Sequence, residues 1–259
     1  MFSLSSLRSS LAVGPVVLAL ALLPALTRAQ TPPQDDEIAR SILEKSDEIR
    51  FPKEGFQVDI NIASSAPGRE PELRKYRVLS KSNENTLVMI LEPASERGQI
   101  MLMKGRDLWV FMPGISQPIR LGLAQRLTGE VANGDLARSN FSGDYTPSRL
   151  RIDKINGEDY QVLELLAVDR GVTYHRVLLW VNPSNFRPLK AEFYSLSNRL
   201  MKTCSYENFA DVVGKRRPTR LVMEDALRPG EKSVLDYGQM KLRDLPDKVF
   251  SKDYLKKLQ

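Results

Sequence analysis

Apolar residues along this chain come in short runs separated by turn residues, the pattern of successive β-strands. It predicts strands over 57–63, 72–80, 86–92, 99–104 and 107–112. After a long interruption the pattern resumes over 150–155, 160–168, 173–181, 188–195, 200–209, 217–225 and 231–243. Turn residues such as Asn156-Gly157, Asp169-Arg170-Gly171, Asn182-Pro183-Ser184 and Pro229-Gly230 mark the joins. Short strands at this spacing point to an antiparallel meander curled into a sandwich or barrel, mainly β with a few helices. No repeat or low-complexity linker divides it, so 30–259 is expected to be one domain.

A helix is predicted over 36–49, with Ile38, Ile42 and Ile49 on one face, Lys45 and Ser46 at its edge, and Asp35 or Asp36 capping its start. Phe51-Pro52 ends it, because a residue before proline is pushed out of the helical region. The strands 86–92, 99–104 and 107–112 are apolar on both faces. A sheet with one wet face would alternate with polar residues, so these three need two buried faces, one against core and one against helix or ligand. The loop 115–146 is too long for a simple connection, and its part 121–127 is expected to form a helical turn or two.

The first residues set the expected compartment. Arg8, an apolar run of sixteen residues from Leu11 to Leu26, and Thr27-Arg28-Ala29 read as a secretory signal, cleaved near Ala29 and covering 1–29. Pro15 and Pro24 interrupt that run, which is shorter than the roughly 20 residues that span a bilayer. The single cysteine, Cys204, allows no intramolecular disulfide and is expected to be an inert packed thiol, so a core must hold the domain. Lys and Arg number 38 against 32 acidic residues, and two of the surplus, Arg8 and Arg28, belong to the signal. The densest basic run, Lys215-Arg216-Arg217, reads as a hairpin tip, either solvated or touching anionic headgroups. Nothing supports nucleic-acid binding.

Catalytic chemistry finds no foothold. The one histidine, His175, lies in a strand pattern, and there is no G-x-S-x-G elbow, no clustered His/Cys ligand set and no phosphate-cradling glycine loop. No enzyme activity, cofactor or metal is expected.

The strand Asp107-Leu108-Trp109-Val110-Phe111-Met112-Pro113 and the later Ser139-Asn140-Phe141 resemble signature elements of the outer-membrane lipoprotein-sorting family, the LolA-like periplasmic lipid carriers. Val177-Leu178-Leu179-Trp180-Val181, Pro188-Leu189-Lys190-Ala191-Glu192-Phe193-Tyr194 and the closing Leu245–Ser251 segment before a last helix at 252–258 are similar to the same family. The resemblance implies an incomplete, strongly curved antiparallel β-barrel, LolA/LolB-like, enclosing short helices and an apolar cavity. It further implies a periplasmic carrier of lipoproteins or other lipids, with an inner-membrane transporter partner and transient membrane-surface contact. A lipid-sensing or docking module on the same fold is the alternative.

Such a fold suits a carrier on physical grounds. Each buried CH₂ is worth about 0.8 kcal/mol, so a sixteen-carbon chain is held in its membrane by roughly 13 kcal/mol. A soluble shuttle must offer an equivalent apolar surface. Met89, Met101, Met103 and Met112, with Trp109 and Phe111, are the expected lipid-binding residues, the alternative for each being ordinary core. Arg120, Arg126, Arg138 and Phe141 are expected on a lid or partner-contact surface, the alternative being arginines paired with Glu130, Asp135 and Asp144.

Overall fold

The computed structural model describes residues 36–82, 84–138 and 140–255. The expected signal at 1–29, Ser139 of the Ser-Asn-Phe element, Asn83 and positions 256–258 of the expected last helix lie outside the described residues.

Helix α1 (Glu37–Arg50) opens the described chain. Strands β1 (Phe56–Ser65), β2 (Glu72–Lys81), β3 (Asn85–Glu92), β4 (Ile100–Lys104), β5 (Asp107–Phe111) and β6 (Ile119–Leu121) follow as one meander. The central loop carries β7 (Arg126–Thr128), β8 (Val131–Ala132) and α2 (Asn133–Ala137). A second meander runs through β9 (Tyr145–Ile155), β10 (Glu158–Ala167), β11 (Arg176–Val181), β12 (Pro188–Tyr194), β13 (Leu200–Val212), β14 (Lys215–Asp225) and β15 (Lys232–Tyr237). A short β16 (Lys241–Leu242), a 3-10 turn Asp247–Phe250 and α3 (Lys252–Leu255) complete it.

The two meanders fuse into one sheet of 14 strands, ordered β6-β5-β4-β3-β2-β1-β15-β14-β13-β12-β11-β10-β9 with β16 also on β1. The seam is the β1–β15 ladder, where Ile60 faces Tyr237 and Ile62 faces Leu235. The sheet curves strongly and does not close into a barrel. Its open side is bridged by side chains. Arg106, at the β4–β5 turn, donates to Asp144 at 2.9 Å, to the Gly143 carbonyl at 2.9 Å and to Asp169. Arg138 donates to Asp144 and, at 2.8 Å, to the Gly105 carbonyl.

The strand pattern is largely as the sequence predicts, with three instructive departures. β9 begins at Tyr145 rather than 150, running through Pro147. Proline is tolerated there because β9 is an edge strand and a missing N–H costs no ladder bond. The expected strand 231–243 breaks at Gly238, whose N–H donates to the Asp59 carbonyl at 2.8 Å. The expected helical turn or two at 121–127 reduces to one tight turn, with the Gln125 N–H on the Gly122 carbonyl at 3.2 Å between β6 and β7, and the loop's helix comes later, as α2. Gly134 in α2 packs so closely on Thr173 that a Cβ would overlap its hydroxyl.

The apolar residues of β3–β5 are indeed buried on both faces. Val88, Met101, Met103 and Leu108 face the main core inside the curve. Leu87, Ile100, Leu102 and Phe111 face outward and are covered by Leu245, Val249, Phe250 and Leu255 of the C-terminal segment. That segment is therefore an outer cover, whereas α1 and α2 sit with the inner core.

Candidate functional site

The inner face is lined by apolar residues of nearly every long strand, among them Val58, Ile60, Val78, Leu163, Leu165, Val177 and Leu179. Helix α1 lies over part of this lining. Its buried positions are Ala39, Leu43, Ser46, Asp47 and Arg50, spaced to form one stripe. The expected Ile38–Ile42–Ile49 face is thus only partly inward: Ile42 packs against the core and Ile49 is half-buried, but Ile38 is 53% exposed. The reason is that the floor beneath the C-terminal half of α1 is aromatic and polar, so Asp47 and Arg50 find partners there that an isoleucine would not use.

Asp47 holds the helix to the end of the central loop. Its carboxylate accepts from the Phe141 N–H at 3.0 Å, the Ser142 N–H at 2.7 Å and the Ser142 hydroxyl at 2.7 Å. Arg50 donates to the same carboxylate at 3.1 Å and stacks over Phe141, with 4.2 Å to the ring centre. Burial pushes the Asp47 carboxyl above the ordinary range, against the pull of Arg50 and the Ser142 and Phe141 donors. The two ends of α1 are clamped by charge. Asp36 caps the start, accepting from the Ala39 N–H at 3.0 Å, and pairs with Arg149 at 2.8 Å. At the other end Lys215 pairs with Glu48 at 2.7 Å, while Arg217 donates to the Glu48 and Ile49 carbonyls that the helix leaves open. Arg217, expected at an exposed hairpin tip, is buried for this purpose; Lys215 and Arg216 remain exposed.

Beneath Arg50 a small cavity of about 30 Å³ is bounded by Phe51, Asp135, Arg138, Phe141, Tyr145, Tyr174, Phe193, Cys204, Tyr206 and Tyr237. One water needs about 10–15 Å³ of such space, so the cavity has room for about two waters and none for an acyl chain. Tyr174 donates to Asp135 at 2.8 Å, and Lys202 approaches Asp135 at 3.5 Å.

The expected site residues separate into groups. Met101 and Met103 face the inner core. Met89, Trp109 and Phe111 face outward beneath the C-terminal segment, and Met112 is half-buried just past β5. Arg120 is exposed and paired with Asp107; Arg126 is exposed on β7. Arg138 is buried against Asp144, and Phe141 is buried edge-on to Tyr145 with ring centres 5.6 Å apart. Only Arg138 and Phe141 of these border the cavity. The sequence does not single out Asp47, Arg50, Tyr174 or Tyr206; Ala39 and Leu43 begin a stripe at helical spacing, but its continuation through Ser46, Asp47 and Arg50 is polar.

Other candidate chemistry is satisfied internally. The carboxylates of Glu130, Asp225 and Glu231 converge, but Arg228 binds all three at 3.1, 2.6 and 2.9 Å, taking the place a cation would fill. Burial pushes the Cys204 thiol up to about 12, which leaves it protonated and inert. His175 is exposed.

The clamps predict a pH response. The Arg149 hydrogen bond holds Asp36 down to about 2, and the Lys215 and Lys53 hydrogen bonds hold Glu48 down to about 2. A carboxyl whose folded pKa is depressed stabilises above its ordinary value and loses that contribution as pH falls. Asp47, shifted upward, has the opposite sign and does not contribute to this loss. Acidification from about 4.5 to 2 should therefore free α1 before the sheet melts. Hydrogen exchange by residue would read this as early loss of protection in α1; simultaneous loss in α1 and β11 would refute it.

Among the described residues, no helix is long and apolar enough to cross a membrane. A family model described only as an uncharacterized protein matches residues 82–257. The structure of a LolA superfamily protein from Nitrosomonas europaea is 68% identical, covers 83% of this chain and 98% of that one, and superposes with a TM-score of 0.81. The fold is shared with a domain named for outer membrane lipoprotein sorting from Vibrio parahaemolyticus, 20% identical over 85% of this chain and 99% of that one, TM-score 0.70. It is shared equally with a DUF1329 family protein from Desulfovibrio piger, 19% identical over 85% of this chain and 99% of that one, TM-score 0.74. No curated protein matches.

Proposed function

Because the chain belongs to the LolA superfamily, we propose that it is a periplasmic carrier that takes the acyl chains of a lipoprotein or another lipid against its inner sheet face. In this reading the signal at 1–29 is removed and 30–259 acts as one half-barrel domain without catalytic chemistry. The observation that carries the reading is the cover of the inner face. Only Ala39 and Leu43 of α1 are fully buried apolar residues, and the rest of its buried stripe is Ser46, Asp47 and Arg50. The N-terminal turns, held by Ala39, Leu43 and the Asp36–Arg149 clamp, can be lifted by a ligand that buries more CH₂ groups, while Asp47 and Arg217 keep the C-terminal end in place. Met101 and Met103 lie on the face such a ligand would meet; the arginine-bearing outer part of the central loop, Arg120 and Arg126, faces a membrane partner or headgroups.

The test is native mass spectrometry of protein purified from a periplasm without detergent, followed by lipid extraction and a vesicle-to-vesicle transfer assay. A stoichiometric acyl species that moves between vesicles is expected. A clean apo mass, with no uptake of offered phospholipid or lipopeptide, would refute the carrier.

A further inference from the structure

Arg50 is the unusual group of the inner face. Its side chain is 7% exposed and its charge is already balanced by Asp47 at 3.1 Å. The guanidinium is packed among the rings of Phe141 at 4.2 Å and Tyr206 at 5.5 Å. Yet its Nε–H, fully buried, meets no acceptor among the described residues, and Arg50 borders the cavity. An unmet buried donor is costly, more so on a charged group, and a native structure that keeps one keeps it for a reason.

The kind of acceptor follows from the surrounding charge. The buried charges around the cavity are already matched in pairs: Arg50 with Asp47, Arg138 with Asp144 and Lys202 with Asp135. A further carboxylate or phosphate would arrive as an uncompensated buried charge. A neutral carbonyl would not, and the carbonyl that accompanies an acyl chain is its ester or amide linkage.

We infer that Arg50 is a positioning group for cargo, donating its Nε–H to the ester or amide carbonyl at the head of a bound acyl chain. This rests on the carrier reading and adds to it a register: the chain lies along the apolar strands with its linkage fixed beneath the C-terminal end of α1. It also sets a preference, for esterified or amidated chains over free fatty acids.

Ester-linked and ether-linked phosphatidylglycerols with identical chains differ only in the carbonyls. Offered to the purified protein as an equimolar mixture, the ester form should be bound about tenfold over the ether form, the weight of one hydrogen bond from a charged donor. A diacylglyceryl-cysteine lipopeptide and its dialkyl ether analogue form the second arm; whichever pair shows the larger ratio names the source of the carbonyl. Arg50→Met, and Asp47→Asn with Arg50→Met to avoid stranding the carboxylate, should bring the ratio to about one while both lipids still bind. Equal binding of ester and ether forms by the wild-type protein in both arms overturns the inference and leaves the carrier intact. A ratio unchanged by the variants overturns it as well. Failure of every lipid to bind overturns both.

Discussion

Asp47→Ala should lower the stability of the folded protein by about 3–5 kcal/mol, the usual result of leaving a buried ion-pair partner without its counter-charge. Three donors from Phe141 and Ser142 lose their acceptor in the same step, and Arg50 remains enclosed among aromatic rings. For a domain of this size each kcal/mol moves the melting temperature by about 2–4 °C, so a fall of roughly 6–20 °C is expected by calorimetry. The diagnostic is the second substitution. Arg50→Met added to Asp47→Ala removes the stranded charge and should recover much of the loss, making the pair strongly non-additive. Two independent, additive losses would mean that the pair does not act as a unit. Asp47→Asn keeps one acceptor oxygen and should fall between.

The second large effect is expected on the other side of the sheet. Phe250 is 1% exposed and anchors the C-terminal segment over Leu87, Ile100, Leu102 and Phe111. Phe250→Ala should cost about 3–5 kcal/mol, as lost burial and an incompletely collapsed cavity add together. Because Trp109 packs against this cluster, the loosened cover should shift tryptophan emission to the red while the protein remains folded. Leu196→Ala is the control: Leu196 is 66% exposed, and its truncation should stay within about 0.5 kcal/mol. Equal losses for the two variants would show that the segment covers nothing of consequence.

The strands were legible because each alternates or runs apolar over a length that turn residues delimit, a local signal that needs no knowledge of partners. Two-sided apolarity in β3–β5 correctly announced two buried faces. Which element covers each face was not legible, since Met101 and Met89 look alike in sequence and differ only in the side of the pleat they occupy. The inward stripe of α1 is only partly legible, because its C-terminal positions, Ser46, Asp47 and Arg50, are polar and carry no hydrophobic signal. Asp47 and Arg50 are buried by virtue of mutual pairing and loop donors about 95 positions away, which no local window contains. Arg217 is the same lesson at a turn: its neighbours predict exposure, and its burial is decided by the carbonyls of α1, about 170 positions away.

The seam between the meanders has a consequence for how the chain is made. β1 pairs with β15 and β16, so Phe56, Ile60 and Ile62 wait for partners more than 170 positions later. A chain emerging from its amino end displays this apolar strand with one edge unpaired until Tyr237 and Leu242 have followed. Such long-range closure is slow and leaves the nascent molecule prone to wrong pairing. Biogenesis of this protein is thus a holding problem: β1 has an open edge during synthesis, and the sheet becomes continuous only when Tyr237 and Leu242 are free to pair.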